Sequence, residues 1–118
     1  MLTTLSVNLN KVALLRNSRH LGIPSVLRAA EQVVAGGAGG ITVHPRGDER
    51  HIRRADVFEI AAHLAPLRDT VELNIEGDPR PDLLTVVREL RPAQFTLVPV
   101  RPGEITSEAG WSPSTPKD

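Results

Sequence analysis

The chain has 118 residues and a mass of 12.8 kDa, enough for one domain with a buried core but short of the ~250 residues of a complete eight-stranded βα barrel. Lys plus Arg and Asp plus Glu each total 14, so the net charge is zero and no long-range field draws in nucleic acid or an anionic membrane. With no cysteine, disulfides, thiolate nucleophiles and thiolate metal sites are excluded.

A first strand is predicted over Thr4 to Asn10, where Leu5, Val7 and Leu9 alternate with Ser6, Asn8 and Asn10. The segment Leu14 to His20 after it carries Arg16 and Arg19 and reads either as a phosphate or carboxylate site or as a solvated loop. Pro24 is expected to open a helix, with Val26, Leu27, Ala30, Val33 and Val34 at helical spacing. The glycines of 36–40 precede a strand instead of joining a strand to a helix start. They therefore suit a helix cap and a tight connection, not a phosphate cradle. A second strand spans Ile41 to His44, and a polar loop follows to about Arg54. Val57, Ile60, Ala61 and Leu64 mark a helix that stops near Pro66, and Val71 to Glu76 is a third strand. A helix from Pro81 carries Leu83, Leu84, Val87 and Leu90, and a fourth strand covers Gln94 to Val98. The domain is expected over residues 1–110, with a Pro- and Ser-containing tail at 111–118 that lacks fixed structure.

Strands separated by helices make βαβ units and a parallel sheet, hence an α/β fold. Each strand alternates apolar with polar residues. Strands covered on both faces read instead as continuous apolar runs. Helices are therefore expected on one face only. The polar face lines a lumen open to ligand or, alternatively, is the solvent face of an open sheet.

In parallel α/β folds ligands bind beyond the carboxyl ends of the strands. Asn8, Asn10, Lys11, His44, Arg46 and Glu76 fall there. His44 and Glu76 are candidate proton carriers; their structural alternatives are a core histidine and a partner for the next helix's N-terminus. The loop 44–54 holds four arginines and two histidines. Of these, Arg46 and His51 are placed to grip a phosphate, although a solvated loop pairing with Asp48 and Glu49 accounts for the same charges. Twelve of the 14 basic residues are arginine, from codon bias or from a need for bidentate anion contacts. A metal site on His44 and His51 lacks ligand spacing, so none is expected. Two Phe, one Trp and no Tyr make no stacking platform for nucleic acid. The N-terminus lacks a leader pattern and no stretch reaches the ~20 apolar residues of a membrane helix, so a cytoplasmic protein without membrane partners is expected.

The runs Val7-Asn8-Leu9-Asn10-Lys11-Val12-Ala13-Leu14-Leu15-Arg16-Asn17-Ser18-Arg19, Gly40 to Arg46 with Arg50-His51-Ile52, Leu73 to Gly77, Leu97-Val98-Pro99 and Ile105 to Glu108 together resemble the pyridoxine 5′-phosphate synthase family. The motifs occur in family order and spacing over essentially the whole chain. The resemblance implies a (βα)8 barrel, of which this chain supplies about the first half, assembled as a homo-octamer. It implies condensation of 1-deoxy-D-xylulose 5-phosphate with 3-amino-2-oxopropyl phosphate, releasing phosphate and water, without cofactor or metal. By motif, His44 and Glu76 would be proton acceptors, and Arg46, His51 and Thr106 would hold the deoxyxylulose phosphate with Asn10 and Lys11 beside it. Asn8 and Arg19 would contact the amino-ketone phosphate. Thr106 rests on the resemblance alone.

The family's better-known first motif has Asp-His where this chain has Asn10-Lys11, and its later proton-donor histidine has no counterpart here. A fragment of a longer enzyme, or a half that needs a partner chain, is therefore expected. The competing reading is a non-catalytic phosphosugar-binding half-barrel or assembly module.

Overall fold

A computed structural model describes residues 3–100. The helices and strands follow the expected order, with one added helix. The elements are β1 (Ser6–Asn8), α1 (Asn10–Asn17), α2 (Val26–Ala35), β2 (Gly40–Val43), α3 (Arg54–Leu64), β3 (Glu72–Gly77), α4 (Pro81–Leu90) and β4 (Gln94–Leu97). A single 3₁₀ turn, Ala65–Leu67, follows α3 where Pro66 ends the α-helical pattern. The expected Thr106 contact and the tail at 111–118 lie outside the described residues.

The sheet order is β1-β2-β3-β4, and every pairing is parallel. Ile41 pairs with Val7 and Leu73, and Ile75 pairs with Val43 and Phe95. These positions face the helices. Ile41, Val43 and Ile75 are fully buried with Val57 and Ile60 of α3 and Leu83 of α4, each burial stabilising the fold by roughly 1.5–3 kcal/mol.

The opposite face is polar, as the alternation predicts. Ser6 Oγ lies 2.7 Å from Thr42 Oγ1, Asn74 Nδ2 donates to Thr42 Oγ1 at 3.4 Å, and Thr96 Oγ1 donates to Asn74 Oδ1 at 2.9 Å. One side chain from each strand thus joins a hydrogen-bonded row across the sheet. Leu5 departs from the expected apolar face: it precedes β1 at the sheet edge and is 66% exposed.

The later strands shift by a single residue at their ends, and two regions differ from expectation by more. The first strand ends at Asn8, and Asn10 begins a helix, because Asn8 Oδ1 accepts the Asn10 backbone N–H at 2.8 Å and turns the chain. The segment from Leu14 to Asn17, expected as loop, is therefore the second half of α1. Only Ala13 of α1 is buried, while Leu14 and Leu15 are exposed, so no apolar stripe announced the helix. Further on, Ser25 rather than Pro24 begins α2: its side chain accepts the Arg28 N–H at 3.2 Å as an N-cap. The glycine run does cap α2, with Gly36 at its C-cap and Gly37 at φ +102°.

Candidate active site

The carboxyl ends of the strands open into a cavity of about 610 Å³. β1 and the start of α1 bring Asn8, Asn10 and Lys11 to its wall; the segment after β2 brings His44, Arg46, Arg50 and His51; β3 brings Glu76. Seven predicted residues therefore meet in one place: Asn8, Asn10, Lys11, His44, Arg46, His51 and Glu76. Arg19 sits in the exposed turn after α1 and is not part of this wall.

The first βα turn is stitched to the end of β2. The Leu9 N–H donates to the Thr42 carbonyl at 3.1 Å, and the His44 N–H donates to Asn10 Oδ1 at 2.9 Å. Asn8 and Asn10 thus shape the rim as well as line it.

His44 is 7% exposed, and its Nε2 is buried without a hydrogen-bond partner among the described residues. Burial, reinforced by the nearby His51 and Arg46, lowers its pKa from 6.5 to about 4. The ring is consequently uncharged at neutral pH, the form that accepts a proton. Its centroid lies 6.0 Å from that of His51.

His51 is likewise held below the ordinary histidine value, first by burial and then by Arg46. Its Nδ1 accepts the Ile52 N–H at 2.8 Å, so the neutral ring carries its proton on Nε2, a donor of the kind a phosphate oxygen takes. Burial pushes the Glu76 carboxyl up from its ordinary value. Arg46 is 5% exposed, with its Nε 3.7 Å from Asp48 Oδ1. A buried guanidinium beside two uncharged imidazoles gives the wall groups of the kind that hold an anion and accept a proton.

Arg50 was not singled out from the loop in the sequence, yet it lines the cavity, with Nη2 2.8 Å from Asp48 Oδ2. Its place directly before His51 was the available signal. Arg16, in one of the two candidate anion segments, does bind a carboxylate, but an internal one: Nη1 and Nη2 reach Asp56 Oδ1 and Oδ2 at 2.5 and 2.9 Å. It is thereby withdrawn from any ligand role. Among the described residues no group of three or more His, Asp or Glu side chains converges as a metal site.

A parallel α/β sheet with helices on one face, and ionisable groups gathered at its strand ends, defines the class as a partial βα barrel. Residues 5–118 match the family described as pyridoxal phosphate biosynthesis protein PdxJ. The chain belongs to that family. A relative from Leptospira biflexa named pyridoxine 5′-phosphate synthase is 50% identical over 118 residues, covering 93% of this chain and 45% of the relative. Relatives of the same name from Phocaeicola vulgatus and Albidiferax ferrireducens are each 54% identical, over 97% and 95% of this chain and 46% of their own length. The chain spans about half the length of the curated relatives it matches.

Proposed function

We propose that this chain carries the first half of a pyridoxine 5′-phosphate synthase site, which condenses 1-deoxy-D-xylulose 5-phosphate with 3-amino-2-oxopropyl phosphate and releases phosphate and water. The observation that carries the proposal is the uncharged His44 beside Arg46, His51 and Glu76 in one cavity. Attack of the amine on the ketone gives a carbinolamine and then an imine. Enolisation, dehydration and ring closure follow, each moving a proton, and His44 and Glu76 are the groups suited to accept them. Arg46 and His51 would hold the deoxyxylulose phosphate, with Asn10 and Lys11 beside it, while Asn8 and Arg19 would serve the second phosphate. Fixing both substrates on one rim removes much of the entropic barrier to their reaction.

Among the described residues β1 and β4 are the sheet edges. Both edges are open to pairing with further strands of a barrel, and a homo-oligomer, an octamer by family resemblance, is part of the proposal. No helix among the described residues is long and apolar enough to cross a membrane, and a cytoplasmic location is part of the proposal.

Calorimetric titration with 1-deoxy-D-xylulose 5-phosphate tests the substrate assignment. Arg46→Ala is expected to weaken binding about ten- to hundredfold, the worth of a lost charge-assisted contact, whereas His44→Gln leaves binding close to wild type. No saturable binding, or binding indifferent to Arg46→Ala, would refute the assignment.

A further inference from the structure

We infer that Arg16, Asn17 and Asp56 form a clamp that positions His51 and Arg50, making α1 the element that sets the geometry of the loop after β2. The inference rests on the reading of that loop as a phosphate-binding wall.

None of the three clamp residues lines the cavity, yet bonds from Arg16 and Asn17 end on the backbone of two residues that do, Arg50 and His51. Asn17 Nδ2 donates to the carbonyls of Arg50 and His51 at 3.1 and 2.8 Å. Arg16 Nη2 donates to the same His51 carbonyl at 3.2 Å while its guanidinium grips Asp56, and Arg16 Nε donates to Asn17 Oδ1 at 3.0 Å. Asp56 Oδ2 also accepts the Arg53 N–H at 2.8 Å, at the start of α3. The backbone from 50 to 53 is thus held from α1 on one side and from α3 on the other.

Three features make this a positioning device and not only a fold contact. The Arg16 and Asp56 side chains are 12% and 8% exposed, so water screens their attraction little. Ile52, between the clamped residues, is fully buried and anchors the loop in the core. Two successive carbonyls fixed in this way determine where the His51 ring stands relative to His44. Because α1 buries only Ala13, it adds little to the core, and its polar C-terminal turn is the part that reaches the second βα unit.

The test compares the wild-type chain with Asn17→Leu, which removes both donations without adding charge, and Arg16→Lys, which keeps the charge but loses the fork. Arg68→Ala is the control: Arg68 donates to the carbonyls of Leu90 and Arg91 at the end of α4 and is absent from the cavity wall. Two quantities are read: the NMR titration of the His51 ring and the affinity for inorganic phosphate. His51 is faced by Arg46, Asp48, Arg50 and Lys11, with His44 alongside. Loosening the clamp exposes His51, and its titration should move up toward that of an ordinary histidine in both clamp variants. Phosphate affinity should fall about tenfold, the worth of one or two hydrogen bonds, and Arg68→Ala should change neither. A His51 titration at the wild-type position in both clamp variants would overturn the inference. Failure of the wild-type chain to bind phosphate would count against the phosphate reading alone, because the His51 titration still decides the clamp.

Discussion

The backbone N–H of His44 donates to Asn10 Oδ1 at 2.9 Å, so the base proposed for the reaction is held at its chain position by the first residue of α1. An amide oxygen or a carboxylate oxygen fills this role equally well, which reconciles Asn10 with the Asp of the better-known family motif. Asn10→Asp should therefore fold with near wild-type stability. Asn10→Leu leaves a buried N–H unpaired and should cost about 1–3 kcal/mol in denaturant unfolding, with a large shift of the His44 amide resonance.

His44 makes stability depend on pH with a definite sign. Its folded pKa, about 4, lies below the ordinary 6.5, so the unfolded chain binds the proton more readily. Stability is full above about pH 6.5 and declines as pH falls toward about 4. From pH 7 to pH 5 the loss should be about 2 kcal/mol. His51, also lowered, acts in the same direction, while Glu76, raised by burial, acts in the opposite one. Unfolding measured at both pH values should lose most of the His44 contribution in His44→Gln. An unchanged pH dependence would show that His44 is not held uncharged by the fold.

The row Ser6–Thr42–Asn74–Thr96 lies one layer below the proposed site and, unlike it, is spent on internal bonds. Thr42→Val removes its centre at a position that is 8% exposed. A destabilisation of about 1–2 kcal/mol is expected, with phosphate affinity unchanged. A loss of affinity matching that of Arg46→Ala would mean that the row belongs to the binding site.

Asp56 both neutralises Arg16 and accepts the Arg53 N–H at the head of α3. Asp56→Ala leaves a largely buried guanidinium without its partner and should cost about 3–5 kcal/mol. The double variant Arg16→Met with Asp56→Leu removes both charges and should recover much of that loss in thermal unfolding. A double variant no more stable than Asp56→Ala alone would place the cost in the lost α3 cap rather than in the stranded charge.

Strand alternation made most of the fold legible. Ile41 with Val43, and Leu73 with Ile75, announced a one-sided parallel sheet, and the strand-end rule then collected His44, Arg46 and Glu76 into one cavity. What stayed hidden depends on side-chain to backbone bonds that leave no periodic trace. α1 starts from an Asn8 side chain and presents no apolar stripe, so its residues read as strand and loop. The partner of Arg16 lies 40 positions away, and no local pattern distinguishes an arginine bound to Asp56 from one awaiting a phosphate.

Formation of pyridoxine 5′-phosphate from the two phosphorylated substrates tests the central claim most directly. It would be measured with this chain alone and with the remaining half of a curated relative supplied. Product is expected in at least the supplemented reaction, and it should disappear in His44→Gln while substrate binding persists. Absence of product in both reactions, or product formation undiminished by His44→Gln, would contradict the account.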